Sequence, residues 1–467
     1  MQISEKRSIN VSVSSFIAAI VVIAILMAVT YLLTFLIPGG SYVRTEDAAG
    51  NLVIDTAAGF TYVEGGIPFW KWLLSPILVL GASGSGTLIA VIVFLLVIGG
   101  VFTCLDQCGL MKYMLHKTAS RFSAVRYRLM AVVLLFFMAM GTMIGSFEEC
   151  VPLVPIMVAL AIDLGWDAMT GIGMSLLAAG CGFAAGVCNP FTVGVAQQLA
   201  GLPMFSGAWL RIVSFVLIYL LLYGFLRSYA KKIERPLEEI RTGHTFAPDG
   251  KMDKGLCCFV WIMGTGMALV LSSGFISALQ DYTMIIVAVM FLAAGICATL
   301  LCGMGGKALG KSFVGGVVGI FPAVLMILMA SSIRYTLEEA KVLDTILYES
   351  VSLAQSLPSW MVILFIYLVV LVMNFFIPSG SAKAFMLIPL IVPLAQVFGL
   401  SSQLCVLAFA FGDGFSNVFY PTNPALLIAL GLADVNYRDW FKWSGKFQVI
   451  NLILTSLILI LGLAVGY

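Results

Sequence analysis

Apolar stretches of membrane length recur along the chain, separated by short polar or basic segments. Their spacing predicts helices at about 14–37, 86–106, 207–227, 256–276, 284–302, 313–333 and 447–465, each near the roughly 20 residues needed to cross a bilayer core. Lys6 and Arg7 precede the first run as in a secretory signal, but 14–37 is too long for an h-region and reads as a retained span. Two other segments, Gly109 to Ser120 and Leu337 to Gln355, are amphipathic and are expected to lie along the surface. Two apolar blocks, 129–163 and 358–398, are too long for one span and are interrupted by GSFEE and PSGSAK. With arms of about 16 residues in the first block, short of a full span, each block is expected to be a re-entrant hairpin. A further pair, 168–200 and 402–432, is broken around 186–190 and 412–423.

These interruptions occur twice because the chain is a duplication. Pro155 answers Pro389, Gly165 answers Gly399, Asn189-Pro190 answers Asn423-Pro424, and Trp209 with Arg211 answers Trp440 with Lys442, at an offset a little over 230 residues. The expected organisation is a first scaffold segment (1–128), a first transport repeat (129–227), a cytoplasmic linker (228–255), a second scaffold segment (256–357) and a second transport repeat (358–467). Placing the basic segments in the cytoplasm puts the N-terminus there and about 19 of the 25 Lys and Arg on that side. The two copies then have opposite orientation, the arrangement that underlies alternating access.

Composition agrees. The chain is 61% hydrophobic and 10% charged, against roughly 25% charged in soluble domains, so the fold class is an all-α polytopic membrane protein with the lipid bilayer as its first partner. The ten cysteines fall mostly in apolar segments, without metal-ligand spacing. His116 and His244 sit in polar stretches. No catalytic constellation points to an enzyme, and nothing supports nucleic-acid binding or a resident cofactor.

Backbone that leaves the helix inside a membrane must find partners in protein, water or ligand, and paired breaks in two halves mark a transporter's binding site. Glu148 and Glu149 at the first hairpin tip and Asp413 at the second helix break are carboxylates expected deep in the membrane, where burial costs several kcal/mol unless compensated. Lys383, at the second tip, could form a salt bridge with one of them. Three acids against one lysine leave negative charge for a bound cation. Ser379, Gly380 and Ser381 offer hydroxyls and amides at a helix start, which favours an anion. Asn189, Thr192, Ser416, Asn417, Thr422 and Asn423 line the breaks as polar-ligand groups or as helix caps, and Asp413 with Ser416 could hold sodium.

The acidic tip, G-F-x-x-G-x-x-N-P-F at 182–191, S-G-S-x-K-A at 379–384 and G-D-G-x-S-N at 412–417 resemble the YfcC family, related to the anaerobic four-carbon dicarboxylate carriers of the ion transporter superfamily. The resemblance implies a homodimer of scaffold and transport domains that moves as an elevator; members include arginine/ornithine-type exchangers and carboxylate carriers. The resulting expectation is a bacterial inner-membrane secondary transporter of a small molecule, an amino acid. Its cationic group would lie at Glu148 and Glu149, its carboxylate at Ser379, Ser381 and Lys383, and Asn189, Asn417, Thr422 and Asn423 would line the site. The alternative is a sodium- or proton-coupled carboxylate carrier.

Overall fold

A computed structural model describes residues 13–46, 52–55, 58–82, 85–145, 147–236, 249–273, 283–354 and 357–467. Among these residues, seven helices are long and apolar enough to cross a membrane, with four shorter apolar helices beside them. Helices occupy the expected positions at Val13–Leu36, Ser85–Gln107, Ala208–Ile233, Gly250–Ser273, Thr283–Leu301 and Tyr437–Ala464, and the second, third and last of these are among the seven. The amphipathic segments appear as Leu110–Phe122 and Val342–Ala354.

Several expectations change. The all-α reading misses two small antiparallel strand pairs, Gly40–Tyr42 with Phe60–Tyr62 and Arg44–Glu46 with Leu52–Ile54. Their alternating Thr, Val, Ile and aromatic side chains suit short strands, and scattered acidic residues had made the stretch look like a polar loop. Gly306–Glu339 is one helix of 34 residues, about 51 Å long, which absorbs both the expected 313–333 span and the start of the second surface helix. The linker is narrower than 228–255, because helices run to Ile233 and resume at Gly250; its centre, 237–248, lies outside the described residues.

Each interrupted block forms a helix pair. The first is Arg126–Ile144 followed by Glu148–Leu153 and Val154–Asp163; the second is Ser359–Phe376 followed by Gly380–Val397. In the first, Arg126 Nη1 donates to Leu164 O at 3.0 Å, so the two ends meet and the chain has doubled back. In the first block the arm Arg126–Ile144 has 19 residues, longer than expected, while 148–163 keeps the expected 16; the second block's arms have 18 each. Arm length therefore does not separate a re-entrant hairpin from a full crossing.

The broken helices form the centre. All eight residues of Ala178–Ala185 and every residue from Leu404 to Asn417 are buried, whereas only 7 of 26 in Ala208–Ile233 and 8 of 28 in Tyr437–Ala464 are. Small residues allow this density. A Cβ on Gly182 would meet Met138 O at 1.9 Å, and one on Gly141 would meet Ala179 O at 2.0 Å, so Arg126–Ile144 and Ala178–Ala185 pack backbone to backbone. Ser359–Phe376 packs on Ser402–Asn417 in the corresponding way, and the two central helices pack on each other. The strand pairs are fastened separately: Asp344 accepts from Arg44 Nη1 (2.9 Å), Arg44 Nη2 (2.7 Å) and Tyr42 N (3.0 Å).

Candidate functional site

The duplicated Asn-Pro explains how each broken helix restarts. Proline suits the first helical position, where its missing N–H would be unbonded anyway, and the preceding asparagine caps the new turn. Asn423 Oδ1 accepts from Ala425 N (2.9 Å) and Leu426 N (3.4 Å). Asn189 Oδ1 accepts from Thr192 N (3.1 Å).

Each helix-pair tip docks on the break of its own copy. At the first, Gly145 has φ +70° and a Cβ there would fall 1.9 Å from Asn189 Oδ1, so glycine is required twice over. Thr142 Oγ1 accepts from Val187 N (2.8 Å) and Thr142 O from Cys188 N (3.2 Å). At the second tip, Asn374 Nδ2 lies within hydrogen-bonding distance of Asp413 O (3.1 Å), Ser416 Oγ (2.6 Å) and Asn417 Oδ1 (2.9 Å), while Asn423 Nδ2 reaches Asn417 Oδ1 (3.2 Å). In sequence Asn374 shows only as a lone amide in the apolar run VLVMNFF.

The copies also cross. Glu148–Leu153 packs against Pro424–Leu432, and Val195–Leu199 against Gly380–Val397. A Cβ on Gly380 would lie 2.3 Å from Thr192 Cγ2 and 2.5 Å from Asp413 Oδ2, so a threonine of one copy and a carboxylate of the other meet over the start of Gly380–Val397.

Lys383 and Asp413 are both fully buried and form an ion pair, Nζ to Oδ1 at 2.7 Å. The ammonium also donates to Ile377 O (3.2 Å) and to Asn374 Oδ1. Three acceptors account for its three donors, so in this conformation Lys383 presents no open donor to a substrate carboxylate. At the offset that aligns Asn189 with Asn423, Lys383 corresponds to Glu149 and Asp413 to Ala179. The ion pair exists in one copy alone.

Three buried oxygens at the breaks have no hydrogen-bond partner: Asp413 Oδ2, Thr192 Oγ1 and Thr422 Oγ1. Buried polar atoms are normally satisfied, and hard oxygen donors suit a cation such as sodium. Ser416 Oγ is already engaged, accepting from Asn374 and donating to Gly412 O at 2.7 Å. Among the described residues no group of three or more His, Cys, Asp or Glu gathers to hold a metal ion. Ser379 and Ser381 are half-buried at the helix start. Glu148 and Glu149 open the turn Glu148–Leu153; their side chains, and Ser146 altogether, lie outside the described residues. Arg211, noted from sequence only as a repeat marker, is fully buried; its Nη2 donates to Ser206 O (2.9 Å), and Nε and Nη1 have no partner.

The model of a family described as C4-dicarboxylate anaerobic carrier, DcuC, matches residues 16–464. YfcC of Escherichia coli, named provisionally as a basic amino acid antiporter, is 30% identical over 413 residues, covering 82% of this chain and 80% of the relative. An uncharacterized protein of Haemophilus influenzae is 25% identical over 398 residues, covering 81% and 76%. Among solved structures, the Neisseria gonorrhoeae protein MtrF is 16% identical, with a TM-score of 0.47 over 95% of this chain and 94% of that one. Matched nearly end to end, and built of apolar helices, this multi-pass membrane protein belongs to the C4-dicarboxylate anaerobic carrier family of transporters.

Proposed function

We propose that the chain is a secondary active transporter of an amino acid, a cationic one included, working by alternating access between two inverted copies. The observation that carries this reading is the closed Lys383–Asp413 pair. It removes the lysine at the second tip from the charge balance, while the sequence supplies two further acids, Glu148 and Glu149, in the turn that packs against Pro424–Leu432. That surplus suits the ammonium or side-chain cation of an amino acid. The half-buried helix start at Ser379 and Ser381, with its unbonded amides, suits the carboxylate, and Asn189, Asn417, Thr422 and Asn423 form the frame around it. The name of the E. coli relative points the same way.

In this reading the helix pairs are re-entrant, the transport repeats move as an elevator against the scaffold segments of a homodimer, and the protein resides in a bacterial inner membrane with its N-terminus in the cytoplasm. Sodium, where it couples transport, would be held by Asp413 Oδ2 with Thr192 and Thr422, and Ser416 would contribute only after its present bonds rearrange.

Substrate charge decides the matter. Glu148→Gln and Glu149→Gln each remove a charge while nearly preserving shape, so amino-acid affinity should fall about ten- to hundredfold, the equivalent of roughly 1.5–3 kcal/mol. Binding measured at saturating sodium, for an amino acid and for a dicarboxylate, makes the comparison. Equal or tighter amino-acid binding in both variants would refute the proposal and favour the coupled carboxylate carrier.

A further inference from the structure

Away from the breaks, a groove of about 520 Å³ runs between Ala208–Ile233 and Tyr437–Ala464, the closing helices of the two copies. Its polar lining includes Lys232, Lys446, Ser228 and Tyr229, and its apolar lining includes Leu220 and Ile450. Trp443 also lines it, and the indole N–H of that residue is buried with no partner. The ring is fixed by Phe225 (centroids 5.1 Å apart) and Tyr229 (5.3 Å). Tyr229 turns its hydroxyl to Asp167 Oδ2 at 2.5 Å, so those two groups satisfy each other.

The surroundings say what kind of molecule fits. Leu220 and Ile450 are exposed and continue into Val216, Leu217 and Ile453 on the outer face of the same helices, an apolar surface suited to acyl chains. From Lys232 to Leu220 is twelve residues along the helix, about 18 Å, more than half of the ~30 Å hydrocarbon core. Lys231 and Lys442 add charge beside the same end, and basic pockets between membrane helices on the cytoplasmic side attract anionic head groups. Gly224 lines the groove, and a Cβ placed there would touch nothing within 4 Å.

We propose that this groove binds an anionic phospholipid, with its phosphate drawn to Lys232 and Lys446 and an acyl chain along Leu220 and Ile450. The occupant bridges the two copies where no hydrogen bond or ion pair between these helices' side chains is found among the described residues. The site is separate from the breaks and does not depend on which substrate the protein carries.

The test uses the purified full chain in neutral detergent, with thermal midpoints measured in phosphatidylglycerol, phosphatidylcholine or inorganic phosphate. Phosphatidylglycerol should raise the midpoint about 2–4 °C more than the other two. In Lys232→Gln/Lys446→Gln the preference for phosphatidylglycerol should vanish, leaving the response to phosphatidylcholine. Gly224→Phe fills the groove and should abolish the response to both lipids. Native mass spectrometry should find phosphatidylglycerol retained by the wild type and lost from the double variant. Equal responses to the two lipids, reproduction of the effect by phosphate alone, or a preference that survives in the double variant would each overturn the proposal.

Discussion

Replacing Lys383 by methionine removes a buried cation from a carboxylate that no other charged group pairs with among the described residues. Neither side chain has solvent exposure, so water does not take the cation's place. Losing one member of a buried pair costs about 3–5 kcal/mol, and Asn374 Oδ1 loses its donor as well, so about 4 kcal/mol is expected. Asp413→Asn orphans the ammonium, but Ile377 O and Asn374 Oδ1 still accept from it, which places that variant near 3 kcal/mol. In the double variant no unpaired charge remains. Its loss should fall short of the sum by about 2–3 kcal/mol, the size of coupling seen between directly interacting groups. Equilibrium unfolding in denaturant, with slopes checked for constancy, measures all three. Singles below about 1 kcal/mol each, or additivity within about 0.5 kcal/mol, would show that the pair is not closed in the protein and would remove the premise on which the substrate-charge argument stands.

Asn423→Ala should cost about 1 kcal/mol of stability, and Asn423→Asp, which keeps a capping oxygen, should recover most of it; unfolding midpoints compare them. Gly182→Ala forces a methyl against Met138 O and should destabilise by about 1–3 kcal/mol, whereas Gly224→Ala, in open space, should not; the contrast checks the backbone packing of the core. Asp344→Asn weakens the two-pronged Arg44 contact and should cost about 2 kcal/mol, visible as faster proteolysis within 40–62 at an unchanged midpoint for the membrane core. Substrate affinity in Glu148→Gln and Glu149→Gln, argued above, completes the set.

The duplication, the breaks and most helices were legible because they rest on local signals: apolar length, glycine, and Asn-Pro at matched positions. What sequence could not supply was partner choice. Lys383 and Asp413 are 30 residues apart, and nothing local says that the ammonium reaches Asp413 rather than a substrate carboxylate. Asn374 was passed over because one amide in an apolar run carries no periodic signal; its importance lies in three acceptors from another helix. The strand pairs hid among charged residues, and the 34-residue helix hid because its polar ends mimic loop boundaries. Pro322, inside it, does not end it.

The ion pair's presence in one copy alone has a consequence for the conformational cycle. In the alternating-access reading proposed above, chemically identical inverted copies would make the state open to one side the two-fold-related equivalent of the state open to the other, with equal free energy. A lysine and an aspartate opposite a glutamate and an alanine break that equivalence at the place where burial is most expensive. The resting distribution is then set by sequence as well as by gradients, and each 1.4 kcal/mol of imbalance makes one orientation ten times as populated as the other. On that reading the transporter carries a preferred side at which it waits.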